Sequence, residues 1–312
     1  MLSLDIGEHR AQRVWQGRLT CPQCQRIYPV VQGIPRFVSE SGNIQDKIAH
    51  NFGDAWTLYA QDRVNPYTEE QFLDWIMPLT PADFEQRAVL DLGCGLAGFS
   101  EFAAQYPSSL LIGMDISHAV DSAVGLLDRY PHLNLIQGDI LRPPFKKGVF
   151  DLVYSIGVLH HLDAPEAGFE QASRLVKPEG RLFCWVYGRE NNTLVIYLVD
   201  PLRRLLSSFP VSWVRFGVAL PMSLLLWALL QTVYHPRLNQ WCRGLPYHTY
   251  FQWLRPYGWY YTWGMITDQL IPPRTHYLSK ETLAAWAAAL DLKILSLNAR
   301  NGMSWRFLVQ RK

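Results

Sequence analysis

Val89-Leu-Asp-Leu-Gly-Cys-Gly-Leu-Ala-Gly98 runs a short apolar strand into a glycine loop and on into a helical segment, Ala97–Tyr106. Gly93, Gly95 and Gly98 match G-x-G-x-x-G in the strand-to-helix context where backbone N–H groups and a helix N-terminus meet a ligand. Outward from this point the same alternation repeats. Leu110–Met114, Leu133–Gln137, Val149–Tyr154 and Arg181–Tyr187 read as further strands, separated by helical segments that include His118–Arg129. Asp163, with Glu166 three residues on, reads as the N-cap and capping box of the next helix, which Lys177-Pro-Glu-Gly180 stops. Ser279 caps a last helix, and Leu292–Leu297 and Trp305–Val309, joined through Asn301-Gly302, read as an antiparallel hairpin. The fold class is therefore α/β: a doubly wound, Rossmann-like, seven-stranded sheet ending in that hairpin, with ligands expected at the carboxyl ends of its parallel strands.

Three carboxylates stand at those ends. Asp91 lies inside the loop's entry, where an anion would repel a pyrophosphate but would suit a ligand with an ammonium group and a nearby positive sulfur. S-adenosylmethionine (SAM) is such a ligand. Asp115 ends the second strand, placed to accept both ribose hydroxyls, a spacing that NAD would also fit. Gln137-Gly-Asp139-Ile140 ends the third, where the carboxylate can take an adenine amino group and Ile140 can cover the ring.

With these residues the chain resembles the class I SAM-dependent methyltransferases, of the type 11 kind that carry an N-terminal zinc-ribbon-like segment. Val89–Gly95 looks like their glycine loop, Gly113-Met-Asp-Ile-Ser117 their second-strand acidic motif and Gln137–Ile140 their adenine motif. Phe150-Asp-Leu-Val-Tyr-Ser-Ile-Gly-Val-Leu-His-His-Leu162 resembles the fourth-strand motif, and Leu175–Gly180 the segment before the fifth strand. The resemblance is dense over 88–187 and looser over 279–310. It implies methyl transfer from SAM, leaving S-adenosylhomocysteine, with the cofactor held by Asp91, Gly93, Cys94, Gly95, Gly98, Asp115, Ile116, Asp139, Ile140 and Ser155. In resembling enzymes the preceding helices fold over the methionine end, so Trp56 and Tyr59 are candidates for a cation–π contact with the sulfonium, core packing being the alternative. His160 and His161, just past the fourth strand, are the candidate general bases or else line the site. Trp185, Tyr187, Arg189 and Asn192 continue from the fifth strand and are candidate acceptor contacts.

Two regions flank this core of 41–187 and 276–312. Residues 1–40 are turn-rich and β-like, with Cys21-Pro-Gln-Cys24 as half of a zinc site; a structural zinc wants four ligands, so a ribbon that keeps its shape without metal is expected. Residues 188–275 form an insertion with no lysine and a net charge of +5, against +2 for the whole 312-residue chain. Phe216–Tyr234 runs 19 residues without a charge, and Trp241–Trp263 holds ten aromatics. That length allows a transmembrane helix, but Pro221, Ser223, Gln231 and Thr232 interrupt it, and a span there would place the halves of one sheet on opposite faces of the bilayer. A helical lid over the acceptor site is expected, with peripheral membrane contact through 211–234 or core and dimer packing as other uses of its apolar surface.

Composition narrows the functions. With 49% hydrophobic and 18% charged residues the chain is not disordered, and near-neutral charge speaks against DNA and RNA as partners. Five cysteines in a chain of this length make no disulfide framework, and the first residues do not read as a signal peptide, so a cytoplasmic enzyme is expected, with membrane association as the alternative. The acceptor expected is a small hydrophobic or amphiphilic molecule, methylated on oxygen or nitrogen rather than carbon. The alternatives are an rRNA or tRNA base methyltransferase, whose bases would stack on the insertion's aromatics, and a non-catalytic methyltransferase-like subunit.

Overall fold

The computed structural model describes residues 2–38, 53, 67–238, 241, 243–245 and 247–312. Its N-terminal segment is a four-stranded antiparallel sheet in sequential order, β1 (Ser3–Arg10), β2 (Arg13–Thr20), β3 (Ile27–Val31) and β4 (Ile34–Pro35). The main sheet follows α1 (Glu69–Ile76) and alternates β5 (Ala88–Leu92), α2 (Gly98–Ala103), β6 (Leu110–Asp115), α3 (Val124–Arg129), β7 (Leu133–Gln137), β8 (Phe150–Ile156), α4 (Pro165–Leu175) and β9 (Val176–Tyr187). The insertion supplies α5 (Asp200–Leu206), entered through a π turn, a long helix α6 (Val211–Thr232), α7 (His248–Leu254) and α8 (Gly258–Leu270). Then α9 (Lys280–Ala289) leads into β10 (Leu292–Arg300) and β11 (Ser304–Arg311).

The seven strands lie in the order β10-β11-β9-β8-β5-β6-β7, parallel from β9 to β7 and antiparallel at the terminal hairpin. The doubly wound expectation is met. Because β5 has β6 on one side and β8 on the other, the order reverses at β5, and its carboxyl end opens the crevice where such sheets bind ligands. Alternation along β5 feeds two cores: Val89 packs with Phe72, Phe84 and Tyr154 on one face, Leu90 and Leu92 with Phe169 and Trp286 on the other.

Two local expectations are corrected. Asp163 caps nothing: α4 starts at Pro165 with Ala164 before it and no side-chain cap, because proline at the first helical position needs no N–H partner. Asp163 pairs instead with Arg274 at the end of the insertion. Lys177-Pro-Glu-Gly180 lies inside β9, whose pairing with β8 shifts register between Phe150 and Leu152; Glu179 takes φ +60°, so the segment is a strand irregularity. The cap at Ser279 stands as expected, its hydroxyl accepting from Thr282 N at 3.2 Å. Ser279→Ala should cost about 1 kcal/mol. Calorimetry should show the midpoint of thermal unfolding lowered by about 1–2 °C.

The N-terminal sheet covers the open edge of β7. Arg13 donates to the carbonyls of Tyr130, Pro131 and Leu133 and to Asn134 Oδ1, Phe37 N donates to Gln137 O, and Ile34 is fully buried in the main core. The insertion is tied to the opposite side. His276 N donates to His160 O and Gly188 bridges to Leu278, so both its ends attach at the carboxyl ends of β8 and β9. Gln71 Nε2 on α1 donates to Tyr261 Oη on α8 at 2.8 Å. Arg203, fully buried, joins α5 to the end of α8 through Gln269 O and Oε1, Tyr277 Oη and Asp200.

Candidate active site

The glycine loop after β5 is held by its own backbone. Gly93 N and Cys94 N both donate to Met114 O, at 2.7 and 3.2 Å, and Gly95 N donates to Asp115 Oδ2 at 2.9 Å. Gly93 has φ +85°, and a Cβ there would stand 2.3 Å from Val158 Cγ2. Gly95 also has positive φ, at +55°; Ala97 takes +59° and opens α2 at Gly98. The Cys94 thiol sits over Gly113, where a Cβ would come within 3.1 Å of it, and burial pushes the thiol pKa up. Its side chain therefore packs against β6 and is half-buried there.

Asp91 is buried at 3% exposure and accepts from Ser100 Oγ at 2.6 Å. Burial pushes its carboxyl up to about 7, against the hydrogen bond from Ser100 and the nearby Tyr154 hydroxyl, with Asp115 adding to the rise. No cationic side chain offsets it among the described residues, so the site suits a cation from outside the chain. Asp115 accepts from Gly95 N through one oxygen and from Ser117 N and Oγ, at 2.8 and 2.7 Å, through the other. Oδ1 has both lone pairs engaged by Ser117, and Oδ2, with only Gly95 N on it, keeps one for a hydroxyl. Asp139 accepts from Leu141 N at 2.8 Å and meets Arg142 at 3.4 Å. Ile140 is buried in the core with Leu90 and Met114, while Ile116 is half-buried, its carbonyl accepting from Gln137. Ser155 Oγ donates to Leu92 O at 2.8 Å, fixing the base of the loop to β8.

On the far side of the crevice stand aromatic and imidazole rings. Trp185 on β9 stacks on Trp75 of α1 at 4.5 Å and 11°, and Tyr187 stacks on His160 at 4.0 Å. Tyr187 Oη accepts from Gln269 Nε2 of α8 at 2.6 Å. His160 Nδ1 accepts from Tyr187 N at 3.4 Å; its Nε2, Trp185 Nε1 and Trp75 Nε1 are buried with no hydrogen-bond partner among the described residues. His161 Nδ1 lies 3.1 Å from Thr275 Oγ1. Burial pushes His161 down to about 3 and His160 well below the usual imidazole range, with Arg203 adding to both. Both rings are thus neutral at pH 7, and the burial that keeps them neutral makes their protonated form costly, which weakens them as bases and suits them to hydrogen bonding.

The fold brings together Asp91, the glycine loop, Asp115 and Asp139 along one edge, and His160, Trp185 and Tyr187 beside it. It does not bring in Asn192, whose amide donates to Gly188 O and Met303 O at 2.6 and 2.7 Å and so secures the chain's exit from β9. Arg189 is exposed, its backbone N–H donating to Leu278 O. Trp56 and Tyr59 lie outside the described residues. Cys21 and Cys24 are free thiols in the N-terminal sheet, and among the described residues no cluster of metal-ligating side chains occurs. Sequence reasoning did not single out Ser100, Tyr154, Trp75 and Gln71 for the site, which they reach across turns and between elements; Tyr154 and Ser117 stand inside the fourth- and second-strand motifs but were not assigned a role.

Residues 90–184 match the family described as methyltransferase domain. Over these residues the chain is similar to the class I SAM-dependent methyltransferases. The seven-stranded order with its terminal antiparallel hairpin agrees with that family, and SAM is its cofactor. Curated proteins similar to this chain include a malonyl-[acyl-carrier protein] O-methyltransferase from Legionella pneumophila, 34% identical over 33% of this chain and 37% of that protein. A probable chloroplastic tocopherol O-methyltransferase from Oryza sativa is 25% identical over 51% of this chain and 48% of its own length. A sterol 24-C-methyltransferase from Gibberella zeae is 28% identical over 30% and 25%. The chain thus spans less than half the length of these relatives.

Proposed function

We propose that this protein transfers the methyl group of SAM to a small hydrophobic or amphiphilic acceptor, on oxygen or nitrogen, in the crevice between the sheet and the insertion. The observation that carries this reading is the buried Asp91 carboxyl, set beside a glycine loop whose backbone is already pinned, with the stacked rings of Trp75 on Trp185 and Tyr187 on His160 gathered at the ends of β8 and β9. SAM supplies a methyl group already activated by its positive sulfur. The chain's own contribution is placement: Asp91 neutralises the ammonium group, Asp115 accepts a ribose hydroxyl through the remaining lone pair of Oδ2, and Asp139 faces the adenine side. The aromatic wall excludes water and offers flat apolar area to an acceptor, while the partnerless N–H groups of Trp75 and Trp185 and the Nε2 of His160 give it a few polar points of attachment. The relatives' names support an apolar acceptor, since tocopherol and sterol are lipids.

The test is a radiolabel assay. With methyl-tritiated SAM, the full chain should move label into organic-soluble product when offered long-chain phenols, carboxylic acids or amines. Labelling of short polar acceptors alone would overturn the acceptor class, and labelling of none, with SAM still bound, would overturn the activity.

A further inference from the structure

Helix α6 is apolar on both of its sides but packed on only one. Of its 22 residues, Val211, Val214, Arg215, Ala219, Ser223 and Leu230 are buried, and that side rests on α8 through Trp263, Ile266 and Leu270. A helix that meets water ordinarily carries charge on its outer face. The outer face here carries none: Trp213, Phe216, Leu224, Leu225 and Trp227 are 39–65% exposed, and the helix's one charged group, Arg215, is buried with its guanidinium 4.5 Å from the centre of the Trp263 ring. The surface continues onto the preceding helix. Phe209 stacks on Trp213 at 4.8 Å, and Tyr197, Leu198 and Leu205 are 65–72% exposed beyond it. Patches of this extent are rarely left in water by monomeric soluble proteins.

We propose that this face seats the protein on an anionic lipid bilayer, with the outer side of α6 lying in the membrane interface. Charge selects lipid over a second copy of the chain. The insertion carries +5, and Arg204, Arg237 and Arg243, all exposed, flank the apolar run in the sequence. Two copies face to face would oppose +5 with +5, whereas an anionic headgroup layer attracts it. Lying flat, rather than crossing, follows from the packing. One side of α6 is already occupied by α8, and both ends of the insertion return to the same sheet edge beside β8 and β9. This rests on the surface alone and holds whatever the acceptor is.

The experiment is vesicle flotation of the full chain, with vesicles of phosphatidylcholine alone and of phosphatidylcholine doped with phosphatidylglycerol. The protein should float with the doped vesicles, less so as salt rises, and far less with the neutral ones. Leu225→Ser with Trp227→Ser should cut the floated fraction about tenfold, since both side chains would otherwise leave water. The variant's thermal unfolding and its calorimetric affinity for SAM should match the parent, as both positions are exposed and far in sequence from the glycine loop. No flotation on either lipid, or flotation unchanged in the variant, overturns the proposal. Equal flotation on both lipids overturns its electrostatic part. A parent dimer that the substitutions dissociate, with neither form floating, assigns the face to a second copy instead.

Discussion

Asp91→Asn is expected to weaken SAM binding about 30- to 150-fold while making the ligand-free protein more stable at pH 8. The loss follows from removing a buried charge opposite an ammonium group, an interaction worth about 2–3 kcal/mol when hydrogen-bonded and shielded from water. The gain follows from linkage. Burial holds the Asp91 carboxyl up at about 7, well above its value in an unfolded chain, so between the two values the folded state binds more protons. Stability from this group is greatest at low pH and is lost as pH rises through about 7, where the carboxylate must ionise in a site lacking a cation. Asparagine has no such penalty and can still hydrogen-bond Ser100. The rise in unfolding temperature should therefore be larger at pH 8 than at pH 5. SAM affinity of the parent should fall as pH drops from 8 towards 6, with proton release on binding in that window, and the variant should show neither effect. If Asp91 served only to anchor Ser100, the variant would keep its affinity and the parent's binding would not depend on pH.

This opposition between binding and stability explains which regions of the site could be read from the sequence. A carboxylate placed where no fold needs one is conspicuous among apolar neighbours, so Asp91, Asp115 and Asp139 announced themselves at three strand ends, and the short apolar runs of β5 and β8, buried almost throughout, announced the sheet. Residues whose roles depend on what lies across a turn did not. Ser100 is an ordinary helix residue until α2 turns it back onto Asp91. Asn192 reads as an acceptor contact beyond β9, but its amide is used up on two carbonyls that only the hairpin's return brings near. Arg203 is in sequence one of the charges behind the insertion's +5, yet it is fully buried, its guanidinium shared among Asp200, Gln269 and Tyr277. Local pattern identifies the elements and their polarity, while three-dimensional neighbours decide whether a polar residue serves a ligand or the fold.

Gly93→Ala is expected to reduce SAM binding more than a hundredfold, and the identity of residue 158 should decide how much returns. The added methyl would lie 2.3, 2.6 and 2.8 Å from Val158 Cγ2, Cγ1 and Cβ, and φ +85° would strain any side chain. Val158 cannot retreat, because the next three residues are the buried Leu159, His160 and His161, with His160 stacked on Tyr187. The loop must move instead, drawing Gly93 N and Cys94 N from Met114 O and Gly95 N from Asp115. Strain of about 1–2 kcal/mol together with these weakened hydrogen bonds, each worth about 1 kcal/mol, amounts to roughly 3–4 kcal/mol. Calorimetric titration of Gly93→Ala in two further backgrounds separates the causes. Val158→Ala leaves the 2.8 Å contact and should recover little, whereas Val158→Gly removes all three contacts and should recover all but the backbone strain of about 1–2 kcal/mol, a residual deficit of about tenfold. Failure of Val158→Gly to restore any affinity would mean that the bare α-carbon of Gly93 is needed for the ligand's own close approach, and that the crowding against Val158 is a consequence of that approach.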